Sequence, residues 1–126
     1  MKKIVHIVNS LHPSGAEKML FRLLSAHKVK ESTSLQIVVL NNNYDEDFFK
    51  EFKELVEDIH VIRSKNILMK ILDVKKILKL VRPDLIQTWM YEADVIGGIA
   101  GRFSNIKVIW NVRSIKPANH SLVYLK

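Results

Sequence analysis

Apolar side chains are grouped along the chain in short runs that alternate with amphipathic segments. A run of four to eight mostly apolar residues, bounded by turn-forming residues, is typical of a strand buried on both faces of a parallel sheet. Such runs predict five strands, at residues 3–8, 35–40, 58–62, 84–88 and 107–111.

Between the predicted strands, apolar residues recur at the three- and four-residue spacing of an amphipathic helix. Ser14 and Glu17 have the spacing of a capping box, and Asn66 is placed to cap a later helix that Pro83 ends. The predicted helices cover residues 16–29, 45–56, 67–81 and 91–103, and residues 121–126 are expected to begin another.

The fourth predicted helix carries three glycines, Gly97, Gly98 and Gly101. Each costs about 1 kcal/mol in a helix interior compared with alanine, so a packing reason is expected. We expect them to let the axis of this helix lie close to the sheet.

Strands that alternate with helices through short turns predict an α/β fold with a Rossmann-like parallel sheet and helices on both faces. The expected strand order is 3-2-1-4-5, which puts the topological switch between the first and fourth strands. Ligands of such sheets bind outside the carboxyl ends of the strands at that switch. The functional residues are therefore expected in the loops at 9–15, 88–91 and 112–120.

The composition fits one globular domain. The chain has 126 residues, is 48% apolar and contains no cysteine, which excludes intrinsic disorder and a disulfide scaffold. No stretch approaches the roughly 20 uncharged apolar residues of a membrane-spanning helix. The absence of cysteine fits a reducing cytoplasm.

The formal net charge of +7 is concentrated in one segment, because residues 63–82 contain seven Lys or Arg and a single Asp. This segment has no aromatic residue, whereas nucleic-acid-binding faces combine cations with aromatic side chains. We therefore expect no nucleic-acid partner.

In the helix that begins at residue 67, one apolar stripe is predicted to face inward, formed by Ile67, Ile71, Val74, Ile77, Leu78 and Val81. Leu68 and Leu72 fall instead among the cations Lys75, Lys76, Lys79 and Arg82. Leucines interleaved with cations are typical of an interfacial helix on anionic lipid. An ordinary solvated face with two exposed leucines explains the pattern equally well.

No residue pattern favours a metal site. The run Asp45-Glu46-Asp47 has the Asp-x-Asp form, but acidic residues are favoured in the first turn of a helix, so a helix start is the better interpretation. The histidines lack metal-ligand spacing. His6 is predicted to be a hydrogen-bonded core residue, and His12 and His120 lie in the predicted ligand loops.

The loop after the first strand has neither the glycine spacing of a dinucleotide fingerprint nor that of a P-loop. It does place Gly15 and free backbone N–H groups at the start of a helix, where an anion is favoured. Ser14 and Glu17 could instead serve only as a cap, so both interpretations stay open.

Three motifs follow the first, fourth and fifth predicted strands: Ser14-Gly15-Ala16-Glu17, the run QTWMYEAD at 87–94 ahead of the glycine-rich helix, and the run VIWNVRS at 108–114. In this order they resemble the N-terminal domain of GT-B-fold glycosyltransferases of family 4, the group 1 type. The resemblance covers nearly the whole chain.

The resemblance implies roles for residues in all three loops. Ser14, Gly15 and Ala16 would approach the donor diphosphate, with Ser14 replacing the first glycine of the family's turn. Arg113 and His120 are the candidate catalytic residues, and Arg113 stands where many relatives have histidine. The candidate acceptor-binding residues are His12, Trp89, Tyr91, Glu92, Asp94 and Asn111, of which Trp89 and Glu92 also replace family histidines.

The function implied is sugar transfer from a nucleoside-diphosphate sugar to a glycan or lipid-linked acceptor, with retained configuration and without a metal or other cofactor. Residues 1–126 would form a C-terminally truncated acceptor-side domain that lacks the donor-binding domain, so the chain alone is expected to be inactive. It would act in polysaccharide biosynthesis in the cytoplasm, at the inner membrane face. The alternative is a non-catalytic subunit that docks a separate donor-binding chain or an anionic membrane.

Overall fold

The computed structural model describes residues 2–12, 15–30, 33–89, 91–111 and 122–125, which form six strands and four helices. None of the helices among them is long and apolar enough to cross a membrane. The strands are β1 (Lys2–Val8), β2 (Thr33–Val39), β3 (Asp58–Val61), β4 (Leu85–Trp89), β5 (Lys107–Asn111) and β6 (Leu122–Leu125). The helices are α1 (Gly15–Lys30), α2 (Glu46–Lys53), α3 (Ile67–Val81) and α4 (Tyr91–Phe103).

The strands form one sheet in the order β3-β2-β1-β4-β5-β6. Strands β1 to β5 are all parallel, and β1 lies between β2 and β4. The predicted strand order and the switch between the first and fourth strands are therefore confirmed.

The end of the chain differs from the prediction. Residues 122–125, expected within a helix, form β6, which pairs antiparallel with β5 so that Asn111 lies opposite Leu122. A short apolar run cannot be assigned to helix or strand by periodicity, and the sequence LVYL has the β-branched and aromatic residues that favour a strand. The open edge of β5 supplies its partner.

Two apolar clusters fill the space between the sheet and the helices. On one face, Leu24 of α1 and Phe52 of α2 pack with Ile37 of β2. On the other face, Leu78 of α3 and Ile96 of α4 belong to the second cluster. Helices therefore cover both faces, as the run of buried strands requires.

Side-chain caps set the helix starts that the sequence predicts. The Asp45 carboxylate accepts a hydrogen bond of 3.0 Å from Phe48 N, so the acidic run begins a helix. Asn66 Oδ1 likewise accepts a hydrogen bond of 2.8 Å from Leu68 N at the start of α3. Arg82, with φ of 51°, ends that helix in the left-handed conformation. The predicted Ser14 cap lies outside the described residues.

The buried stripe of α3 differs from the predicted one at its start. Ile67, expected on the inner face, is 57% exposed, as are Leu68 and Met69 to similar degrees, because apolar packing of this helix against the sheet begins only at Ile71. Lys70 is buried instead, in line with Val74 and the turns that follow.

Helix α4 lies so close to the sheet that two of its glycines have no room for a side chain. A Cβ at Gly97 would lie 2.6 Å from Thr88 Cγ2 and 3.0 Å from Ile7 Cδ1, and one at Gly101 would overlap Val108 Cγ2. The expectation that glycines bring this helix near the sheet is confirmed at both positions.

Replacing Gly97 with alanine tests this close approach. Thr88 cannot turn its methyl group away without losing the hydrogen bond of its hydroxyl to Asp94. We expect Gly97→Ala to lower the free energy of unfolding by about 1–3 kcal/mol, the usual cost of overpacking, although alanine is the better helix former.

The measurement is urea unfolding, with Val95→Ala on the exposed side of the same helix as the control. The control is expected to change stability by about 0.5 kcal/mol or less. A Gly97→Ala variant as stable as the wild type would show that α4 has free space above the sheet.

Candidate functional site

The candidate site lies at the carboxyl edge of the sheet, where β1 and β4 end side by side. Ile7 pairs with Thr88 in the parallel register, so the loops that follow the two strands begin next to each other. Asn9 Oδ1 accepts a hydrogen bond of 3.0 Å from Ala93 N. The loop after β1 thus satisfies a free N–H group at the start of α4.

A buried lysine joins further elements at this edge. Lys70 of α3 is 5% exposed, and its Nζ donates to Asn41 Oδ1 at 2.6 Å and lies 3.8 Å from Glu92 Oε1. Asn41 Nδ2 in turn donates to Glu92 Oε1 at 2.8 Å and to Asn9 O at 2.9 Å. A buried ammonium group is costly unless it is paired, and this network pairs it.

His12 lies on the half-buried rim of the same edge. Its Nε2 is 2.7 Å from Asn43 Oδ1, which is within hydrogen-bond distance. Backbone bonds from Leu11 N to Asn43 O and from Asp45 N to Leu11 O connect the two loops that carry this pair.

Trp89 lies inside the domain. Its side chain is 3% exposed, and its indole N–H donates to His6 Nδ1 at 3.1 Å. The predicted role of His6 as a hydrogen-bonded core residue is confirmed. Trp89 also belongs to the apolar cluster of this face, and its contact with an acceptor stays a prediction.

Asp94 is also buried, and its Oδ1 accepts a hydrogen bond of 2.6 Å from the hydroxyl of Thr88. Burial raises the pKa of this carboxyl, and the hydrogen bond from Thr88 acts in the opposite direction. In this structure Asp94 joins α4 to β4, and its contact with an acceptor stays a prediction.

The remaining predicted residues are placed only by their backbone or lie outside the described ranges. Gly15 and Ala16 begin α1, Tyr91 begins α4, and Asn111 pairs with Trp89 at the ends of β5 and β4. Ser14, Arg113 and His120 lie outside the described residues. Across the described part of the chain, no group of three or more histidine or acidic side chains is arranged to hold a metal ion.

The sequence-based reasoning did not predict a role for Asn9, Asn41 or Lys70. Asn9 and Asn41 each stand just after a predicted strand, which is where ligand-edge residues are expected. Lys70 stands on the inner stripe of α3, one turn before Val74. A cation at a core position of a helix is the signal that could have revealed it.

Removing the ammonium group of Lys70 tests the network. We expect Lys70→Met to lower the free energy of unfolding by about 1–3 kcal/mol, since Asn41 and Glu92 lose their shared donor while part of Glu92 stays in contact with water. Chemical unfolding measures the effect, and Lys76→Met, at an exposed position of the same helix, is the matched control.

A double-mutant cycle with Glu92→Gln separates the network from simple packing. Coupled side chains are expected to give a double variant that loses less stability than the sum of the two single losses. Strict additivity would contradict the network.

The pH dependence of stability tests the burial of Asp94. Because its pKa is raised in the folded state, the folded protein retains a proton that the unfolded carboxyl loses near its ordinary value of 3.8. The contribution of this carboxyl to the free energy of unfolding therefore falls as the pH rises from about 3.8 through the raised pKa. Asp94→Asn keeps an acceptor for Thr88 but carries no charge. The free energy of unfolding of this variant, minus that of the wild type, is therefore expected to increase between pH 3.5 and pH 7.

Unfolding curves across this pH range make the comparison, with the exposed Asp47→Asn as the control. A stability difference between Asp94→Asn and the wild type that is constant with pH would contradict a raised pKa.

Neither a protein-family model nor a curated protein matches the sequence. Solved structures are similar in fold. HepE of Anabaena in complex with UDP gives a TM-score of 0.70 at 18% identity, over 94% of this chain and 31% of that one. MurG of Acinetobacter baumannii gives 0.70 at 12% identity, over 94% and 38%.

The lipopolysaccharide outer core galactosyltransferase WaaB gives a TM-score of 0.63 at 13% identity, over 86% of this chain and 32% of that one. UDP-N-acetylglucosamine 2-epimerase is similar as well, so the fold alone does not fix the reaction. The chain spans about a third of the length of these proteins. It has the Rossmann-like α/β fold that forms part of such GT-B-fold proteins.

Proposed function

We propose that this chain is the acceptor-side, N-terminal domain of a retaining glycosyltransferase. It would transfer a sugar from a nucleoside-diphosphate sugar to a glycan or lipid-linked acceptor. The observation that carries the proposal is the carboxyl edge itself, where the ends of β1, β2 and β4 and the start of α4 are joined by polar contacts. The similarity in fold to UDP-bound HepE supports the nucleotide part of the donor.

The donor diphosphate is assigned to the start of α1. Gly15 and Ala16 are its first residues, and backbone N–H groups at a helix start favour a phosphate group. Together with Ser14, which is assigned from the family resemblance, they would stabilise the charge that develops on the departing diphosphate.

The acceptor is assigned to the rim beside it. His12 and Glu92 are the partly exposed candidates whose polar contacts are known, and both are held in place by asparagines of the loop after β2. Tyr91 begins α4 and Asn111 ends β5 beside them. Trp89 and Asp94 support this rim from inside, and Arg113 and His120 remain the candidates for catalysis from the loop after β5.

A UDP titration tests the assignment of the edge. With the purified chain and millimolar UDP, we expect backbone amide shifts in NMR spectra at residues 8–12 and 91–94, and none at 82–84 and 104–107, where the opposite ends of the strands lie. Gly15→Val would place a bulky side chain at the diphosphate and is expected to weaken binding at least tenfold.

Ala26→Val, an exposed position of the same helix, is the matched control and is expected to bind UDP like the wild type. Equal binding by the Gly15→Val variant, or shifts centred on residues 82–84 and 104–107, would contradict the proposal.

The purified chain is expected to show little or no transfer with a panel of nucleotide sugars and glycan acceptors, because most donor contacts belong to a second domain in this assignment. Thin-layer or mass-spectrometric detection of product measures this. Robust turnover by the chain alone would contradict an acceptor-side role.

A second candidate function is a non-catalytic subunit that docks a separate donor-binding chain or an anionic membrane. The exposed Leu68 and Leu72 of α3 favour it, because unpaired apolar side chains on a helix face suit an interface. The DNA directly downstream of the Lys126 codon distinguishes the two functions. An in-frame continuation into a second βαβ domain favours a single enzyme, and an adjacent reading frame for that domain favours a split one.

A further inference from the structure

A groove opens at the amino edge of the sheet, opposite to the candidate site. It lies where α3 and α4 both end, has a volume of about 430 Å³, and is called the basic groove below. Its lining includes Lys75, Leu78, Lys79, Arg82, Phe103 and Ile106.

The charge of the basic groove favours an anion. Three of its lining residues are cations, and none is acidic. Asp84, which follows closely in sequence, already accepts a hydrogen bond of 2.9 Å from Lys3 N. The ends of α3 and α4 contribute about half a negative charge each, so the three full positive charges still dominate.

An exposed stripe of leucines and cations runs along α3 into the groove. Leu68, Leu72, Lys75, Lys79 and Arg82 are spaced by four, three, four and three residues, which places them along one side of α3, and all five are exposed. Phe103 is 72% exposed, and Lys75 Nζ lies 5.5 Å from the centre of its ring. The cations and the apolar side chains therefore share one surface.

This combination distinguishes a lipid surface from a dissolved anion. A free phosphate would need only the cations, and two leucines and a phenylalanine would stay in water with no gain. At the surface of an anionic bilayer the cations meet headgroup phosphates while the apolar side chains leave water. The occupant that suits the whole surface is an anionic phospholipid membrane.

We propose that the stripe from Leu68 to Arg82, with the basic groove and Phe103, is a docking surface for an anionic phospholipid membrane. A headgroup phosphate lies between Lys75, Lys79 and Arg82, and the apolar side chains enter the headgroup region. The sequence suggested an interfacial helix at 67–82, and the structure adds to it a groove that includes Phe103 of α4. It does not depend on sugar transfer.

Flotation with vesicles tests it. We expect the chain to bind vesicles of phosphatidylcholine with phosphatidylglycerol, and not vesicles of phosphatidylcholine alone. Lys75→Gln/Lys79→Gln is expected to weaken partitioning about 30-fold, because each cation near an anionic surface contributes about a factor of five.

The matched control is Lys50→Gln/Lys53→Gln, which changes the net charge equally but lies on α2, at the opposite face of the sheet. It is expected to weaken partitioning less than about threefold, because charges beyond a Debye length of about 8 Å are screened. Equal losses in the two double variants would mean that net charge alone drives binding, and would overturn the proposal.

Phe103→Ala tests the apolar part, with Met19→Ala on α1 as its control. We expect at least a fivefold loss for Phe103→Ala and none for Met19→Ala. If Phe103→Ala binds vesicles like the wild type, or if soluble glycerol phosphate displaces the chain from the vesicles, the occupant of the groove is a dissolved anion. Either result would overturn the proposed membrane surface. The Lys75→Gln/Lys79→Gln variant is expected to bind UDP like the wild type, since UDP is assigned to the other edge of the sheet. UDP binding by this variant therefore tests the proposed function separately from the membrane surface.

Discussion

The buried ammonium group of Lys70 holds the carboxyl edge of this domain together. It reaches from α3 to Asn41 after β2 and to Glu92 in α4, and Asn41 extends the contact to the backbone of Asn9 after β1. A charge that is taken out of water must find such partners, so the positions of these four elements depend on one another. The edge is therefore ordered by a polar network at the end of an otherwise apolar core.

Helix α4 is positioned by two independent constraints. Gly97 and Gly101 set its distance from the sheet, because any Cβ there would overlap side chains of the strands. Asn9 and Glu92 fix its first turn relative to the loops. The start of α4 is thus held in one position relative to the sheet and to the loops after β1 and β2.

The sequence predicted the fold more completely than the site. Apolar runs, caps and the position of the switch depend on local residue patterns, and they predicted the strand order and the start of α2 at Asp45 correctly. On the inner face of α3, Ile67 is exposed and Lys70 is buried, the reverse of what their polarity suggests. This depends on where packing begins along the helix, and the periodicity of the sequence carries no information about that. The strand β6 depends on the open edge of β5, a tertiary partner.

Side-chain directions at the edge were the least predictable part. Trp89 and Asp94 belong to a motif whose family resemblance suggests ligand contacts, yet alternation along β4 and the turn of α4 direct both inward, onto His6 and Thr88. Asn9 and Asn41 act through partners that are 84 and 51 residues away in sequence. Contacts over such separations arise only once the parallel sheet has brought the strand ends together.

The two proposed surfaces are compatible in one orientation. The exposed stripe follows the whole length of α3, about 22 Å for its 15 residues, so docking through it lays the helix along the membrane. Because the strands run alongside α3, the carboxyl edge then opens parallel to the bilayer, close to its headgroups. A lipid-linked acceptor could reach His12 and Glu92 in this orientation without leaving the membrane, whereas α1 and α2 would face the solvent.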